Sequence, residues 1–375
     1  MKSEMKFSIK RDLLLKSLGF VQGVVEKKNT LPILSNVLIE AKAGKLSILA
    51  TDLDIFFYDE VSKLEITSEG STTTSASILY DILRKISSNS NVTFDLKTEN
   101  KLSLNAEKSD FNLLCLPTEN FPTFSNNFTG ESFKIENKKF LSLLNKVRIS
   151  ISSDDTRHYL NGIFFHTNDV NGASFLTGVA TDSHRLSSSR IKIDNSNEFS
   201  SFILPRKTVY QLSSLLSEIN DDVKITISDN KVLFQIGNTK LITKVIDGKF
   251  PDYKKVVPQA NTNSLIVPCK EFINSIERVT SVSLDRKEGV KLSISKNNVK
   301  LSVNSTNSGD GNEVIKANYS GEDLTISFNS KYLLDIASEI DDSELKINLK
   351  DPISPVLIED KSDNDSFYVV MPMKI

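Results

Sequence analysis

The chain has 375 residues, 39% of them hydrophobic and 25% charged, enough for two or three domains with packed cores. Its two cysteines, Cys115 and Cys269, stand far apart without partner ligands, which argues against a disulfide framework or a zinc ribbon and for a reducing compartment. With 46 Lys+Arg against 48 Asp+Glu the net charge is −2, so an ordinary basic nucleic-acid binder is excluded and any grip on a polyanion needs its cations gathered on one face. No apolar run approaches the roughly 18 residues of a membrane span, and residues 1–10 lack a signal-peptide core. The expectation is a soluble, cytoplasmic protein.

In chain order, the first predicted strand is Phe7-Ser8-Ile9, feeding a helix through Leu14, Leu15, Leu18, Val21 and Val25. The hairpin 35–40 and 46–52 follows, turning at Ala43-Gly44-Lys45, then a helix on Ile78, Leu79, Ile82, Leu83 and Ile86 and closing strands 92–96 and 111–116. The pattern restarts at Phe133-Lys134-Ile135 with a helix on Phe140, Leu141, Leu144, Val147 and Ile151. A hairpin turning near Asn171-Gly172 ends in Ala180-Thr181-Asp182, and a second helix carries Val209, Leu212, Leu215 and Leu216. It restarts again at Leu265-Ile266-Val267, with Phe272, Ile273, Ile276 and Val279, a hairpin at Asn297-Asn298, and a helix on Leu333, Leu334, Ile336, Ala337 and Ile340. A spacing of roughly 130 residues is too long for a solenoid unit and long enough for a domain. The reading is α+β: three domains, 1–128, 129–258 and 259–375, each with two helices packed on antiparallel sheet. Connectors 117–130 and 251–263 are rich in Pro, Asn, Thr and Ser.

The chemical signals are sparse. Asp182, Ser183 and His184 are triad residue types, but read as successive strand residues they alternate faces and cannot assemble with one another. Ala50-Thr51-Asp52 repeats Ala180-Thr181-Asp182, which marks that element as structural, whereas His184-Arg185-Leu186 occurs in copy two alone and points to binding. Paired aspartates (52/54, 154/155, 221/222, 341/342) fit turns, where Asp bonds to local backbone. No Walker loop, dinucleotide fingerprint or metal-ligand histidine spacing occurs, so no cofactor is expected. The alternative is a metal-dependent DNA-processing enzyme using Asp154, Asp155 and Asp182. Basic residues recur between the apolar positions of the helices: Arg11, Lys16, Arg84, Lys85, Lys138, Lys139, Lys146, Arg148, Arg206, Lys207, Lys270, Arg278 and Lys331. They predict one basic helix layer. The apolar tail 369–375 reads as docked core or as an adaptable recognition surface.

Thr30-Leu31-Pro32-Ile33-Leu34, Tyr159-Leu160-Asn161-Gly162, residues 180–186, Gly248-Lys249-Phe250-Pro251-Asp252-Tyr253 and Tyr368-Val369-Val370-Met371-Pro372-Met373 together resemble the bacterial sliding clamps, the beta subunits of DNA polymerase III, across the whole chain. The resemblance implies the DNA clamp fold, a ring-shaped head-to-tail dimer with helices lining the hole, and sequence-blind encirclement of duplex DNA without catalysis, in the nucleoid. It implies DNA contacts at Lys28, Arg157, His158, Tyr159, Arg206 and Lys207, and a dimer interface at Phe111 and Leu113 on one edge and Val282 and Leu284 on the other. It also implies a partner-peptide pocket of Leu160, Thr181, His184, Arg185, Leu186, Pro251, Val256, Val369, Met371, Pro372 and Met373. The implied partners are the polymerase III alpha subunit, the clamp loader delta subunit, and other polymerases and repair proteins with short apolar motifs. Two residues depart from the family pattern: Ser183, where glycine is frequent, and Pro355, near the pocket rim.

Overall fold

Alternating apolar positions set the strands. The strand Lys6–Lys10 turns Phe7 and Ile9 inward, and a helix follows at once, burying Leu14, Leu18 and Val21 along one stripe. The computed structural model describes residues 5–26, 30–123, 128–193, 199–283 and 289–374. Among these residues there are six α-helices: α1 (Arg11–Val21), α2 (Ala76–Lys85), α3 (Asn137–Arg148), α4 (Arg206–Glu218), α5 (Cys269–Thr280) and α6 (Ser330–Ala337). They fall two to a copy, as predicted. The chain divides into two compact units, residues 1–138 with 207–245 and residues 139–206 with 246–375.

The first unit is built on a 13-stranded antiparallel sheet. The strands of copy one are extended by Thr239–Lys244 of copy two, which pairs with Ile55–Val61 from Lys240↔Tyr58 to Thr243↔Ile55. Copy one holds more strands than its periodicity predicts. Gly70–Ser75 is polar in sequence, yet it buries Thr72, Thr73 and Thr74, whose backbone pairing outweighs weak hydrophobic patterning. α2 begins at Ser75, whose hydroxyl accepts from Ile78 N at 3.4 Å, and it buries Leu79 and Leu83. Ile78, predicted on the inward stripe, is 54% exposed. α4 buries Val209, Leu212, Leu215 and Leu216, and its Gln211 Nε2 donates to Phe20 O at 2.6 Å.

In the second unit a nine-stranded sheet joins copies two and three through Arg185–Lys192, which pairs with Asp363–Val370 from Arg185↔Val370 to Ser189↔Ser366. A four-stranded sheet, from Gly309–Lys316 to Leu324–Asn329, stands beside α5 and α6 over a core of Phe272, Ile276, Leu292, Phe328 and Ile336. Lys146 of α3, predicted to face outward with the other basic residues, is buried instead. Its Nζ donates to Asp341 Oδ2 at 3.1 Å and Asp363 Oδ2 at 2.9 Å, so the charge is spent inside the protein. Arg278 is likewise engaged by Glu313, and Lys331 by Asp335.

Candidate functional site

Residues 182–184 form a turn and not a strand. The strand Ala173–Thr181 ends there, Arg185–Lys192 begins, and Ser183 sits at φ 77°, in the left-handed region. Thr181 Oγ1 accepts from Ser183 N at 3.1 Å, and Asp182 Oδ1 accepts from His184 N and Arg185 N, both at 3.0 Å. Copy one builds the same turn. Leu53 has φ 79°, Thr51 Oγ1 accepts from Leu53 N at 2.9 Å, and Asp52 Oδ1 accepts from Asp54 N and Ile55 N. The Thr-Asp pair is therefore a turn device, with each side chain bonded to local backbone.

What differs is the surroundings. In copy two the turn overlooks a cavity of about 280 Å³ in the second unit. Leu160, Leu186 and Val369 form its buried floor, part of a cluster with Val179, Ile203 and Phe250. Thr181, His184 and Arg185 stand on one side, and Pro251 and Val256 on another. Met371, 44% exposed, closes a third side where its N–H donates to His184 O at 2.8 Å. The sequence-predicted pocket residues thus converge, apart from Pro372 and Met373. The Met373 N–H donates to Ser327 O at 2.7 Å, and its sulfur lies beside Gly289, so the tail is docked through its backbone while Met371 stays available. Pro355 is half-buried, and its carbonyl accepts from Asn261 Nδ2 at 2.9 Å.

The cavity is also lined by Ser183, Asp252 and Tyr253, which stand in the motifs above but were not among the expected pocket residues. Tyr253 belongs to the 3-10 helix Tyr253–Val256 and bonds to His166 Nε2 at 2.9 Å, while His166 Nδ1 meets Thr167 O at 3.1 Å. A carbonyl only accepts, so Nδ1 carries the proton and Nε2 accepts from the tyrosine hydroxyl. Burial holds His166 below its ordinary pKa, helped by nearby Lys254, although the Thr167 carbonyl pulls the other way. No periodic signal marked this pair, because His166 lies on a strand far from the motif.

Arg185 is the buried charge of the pocket. Its Nε donates to Asp182 Oδ2 at 3.1 Å, its Nη1 to Asp335 Oδ2 at 2.7 Å, and its guanidinium lies 4.4 Å from the ring centre of Tyr332. His184 stacks near the same ring, with centroids 6.4 Å apart. α6 of copy three, through Tyr332 and Asp335, thereby fixes the copy-two residues that line the cavity.

The predicted nucleic-acid contacts are placed variously. Lys28 lies outside the described residues. Arg157, half-buried in the 3-10 helix Asp155–Leu160, donates from Nε to Asp154 Oδ2 at 2.9 Å and from Nη1 to Ser183 Oγ at 2.5 Å. His158 is exposed, with Nε2 3.1 Å from Asp247 O, and Tyr159 is half-buried. Arg206 is exposed at the start of α4, where its N–H donates to Asn161 O. Lys207 is committed within the first unit, donating to Asp52 Oδ2 at 2.6 Å and Val24 O at 2.8 Å. On the predicted dimer edges, Phe111 is half-buried and Leu113 is 8% exposed, while Leu114, next on the same strand, is 84% exposed. Val282 is half-buried, and Leu284 lies outside the described residues. Asp154 and Asp182 are engaged by Arg157 and Arg185, and no group of three or more His, Cys, Asp or Glu suited to a metal ion occurs among the described residues.

Comparison with known proteins covers the chain from end to end. Family models of the DNA polymerase III beta subunit match in succession: the N-terminal domain over residues 5–125, the central domain over 134–252 and the C-terminal domain over 254–374. The beta sliding clamp of Caulobacter vibrioides is 36% identical over 373 residues, covering 99% of this chain and all of the relative. That of Escherichia coli K12 is 31% identical over 371 residues, with the same coverage. A crystal structure of the C. crescentus beta sliding clamp superposes with a TM-score of 0.95 at 36% identity over all of both chains. A Bartonella birtlesii clamp bound to griselimycin gives 0.95 at 38% identity, covering 99% of this chain and all of that one.

Proposed function

The chain belongs to the DNA polymerase III beta subunit family, the beta sliding clamps, and from that footing we propose a non-catalytic processivity factor that closes around duplex DNA as a head-to-tail homodimer. The observation that carries this reading is a triplicated α+β fold with an apolar cavity beside the copy-two turn at Ser183. The three domains are taken as 1–128, 129–258 and 259–375. A processivity factor must stay on DNA yet slide, and base-specific contacts would trap it. Topological enclosure with phosphate-directed cations avoids that trap. Among the named cations, Arg206 is exposed at the start of α4, as are Lys138 on α3 and Lys270 on α5. Lys207 serves Asp52 first.

Two strand edges support a head-to-tail contact. In Ser109–Leu116, residues 109–114 pair only with Lys101–Ala106 among the described residues, and Gly309–Lys316 pairs only with Asn298–Ser305. Unpaired edges with exposed Leu114 and Val314 (58%) invite strand addition by a second copy. The cavity takes short apolar segments of partners, with Met371 adapting to different side chains. The polymerase III alpha subunit, the loader delta subunit and repair proteins are the partners we assign to it. Two buried, unbridged cysteines support a reducing cytoplasm as the compartment.

The test is primer extension on a long primed circle with clamp loader and polymerase. The chain should convert short distributive products into full-length ones. Product length unchanged by the chain, with loader and polymerase shown active, would contradict the function.

A further inference from the structure

Ser183 has a hydroxyl that its own turn does not need. Leu53 holds the copy-one turn at the same φ with the same Thr and Asp bonds and no hydroxyl. The Ser183 hydroxyl instead accepts from Arg157 Nη1 at 2.5 Å, and Ser183 also lines the apolar cavity. Arg157 itself departs from helical geometry inside its 3-10 segment (φ −117°, ψ 58°), and its Nε is held by Asp154. A guanidinium offers two paired N–H edges, one ending in Nε and the other in Nη1. Nε is held by Asp154 and Nη1 by Ser183. A phosphate that takes Arg157 in two-pronged fashion competes with one of these two acceptors, and the neutral hydroxyl is the weaker competitor.

We propose that Ser183 couples the partner pocket to DNA: Arg157 is shared between the pocket-rim turn and a DNA phosphate, so that each occupant weakens the other. This rests on the reading that Arg157 faces enclosed DNA. When phosphate takes the guanidinium, Ser183 keeps its left-handed backbone without the bond that offsets it, and the rim of the cavity relaxes. The reverse follows by linkage: a peptide that needs the ordered rim keeps Arg157 away from phosphate.

The experiment uses the full chain, free and loaded on nicked circular duplex DNA, and a fluorescein-labelled octapeptide with two leucines and a phenylalanine among serines. Anisotropy titration should give a Kd about fivefold weaker on DNA. Ser183→Gly should abolish that difference. Ser183→Asn should keep it, because asparagine tolerates the left-handed region and presents an amide oxygen to Arg157. Equal affinities on and off DNA in the unaltered chain overturn the coupling, as does an undiminished difference in Ser183→Gly. A chain that is not retained on circular DNA overturns both the coupling and the function; retention with equal affinities overturns the coupling alone.

Discussion

At Arg185 one guanidinium joins two carboxylates and an aromatic ring at 6% side-chain exposure, with Asp182 and Asp335 themselves mostly covered. Removing it leaves the largely covered Asp182 without its cation, while Asp335 keeps Lys331, so Arg185→Ala should cost about 3 kcal/mol in chemical denaturation. Replacing Asp335 as well should cost less than the two single changes summed, which a double-mutant cycle measures. The motif pointed to Arg185, but its partners Asp335 and Tyr332 are 150 and nearly as many residues away, and no local pattern announces them. His166 was illegible for the same reason. Its ring is kept neutral by burial, and an unfolded chain binds the proton at about pH 6.5 before the folded one does. Stability from the neutral ring is therefore present above that pH and falls as pH drops through it toward the lower folded value. Thermal unfolding between pH 7.5 and 5.5 should show a smaller loss in His166→Phe than in the unaltered chain.

Helices and hairpins were legible because the physics that makes them is local: apolar residues at helical spacing, and left-handed Ala43-Gly44 and Asn171-Gly172 at the predicted hairpin turns. Strand count in copy one was not, since Gly70–Ser75 is held by its neighbours and not by its own pattern. Nor could helical spacing tell outward lysines from Lys146, whose acceptors lie in another copy. The C-terminal tail is the element with the plainest consequence. Deleting residues 371–375 removes the Met371 wall and the Met373 bridge to Ser327, while the strand Asp363–Val370 keeps its pairing. Octapeptide affinity should fall by more than about tenfold with solution mass unchanged. The edge strand gives the converse outcome: Leu114→Lys, at a residue 84% exposed, should leave the melting temperature of the chain intact and halve its solution mass.

Across the whole chain, charge is balanced at −2, and many cations are already spent on internal pairs, among them Lys146, Lys207, Arg185 and Arg278. A net charge of −2 gives no overall attraction to a polyanion, and in this reading enclosure supplies the retention. Arg206→Glu, at an exposed position at the start of α4, is the cleaner probe of DNA-facing charge. It should slow loading without altering oligomeric state, whereas Lys207→Glu would set two carboxylates against each other at Asp52. The most direct measurement is release from DNA after loading on a nicked circle in high salt. Enclosure predicts that the protein stays bound until the circle is cut and then leaves within the time needed to slide off an end. Release at the same salt-dependent rate from circular and linear DNA would contradict it.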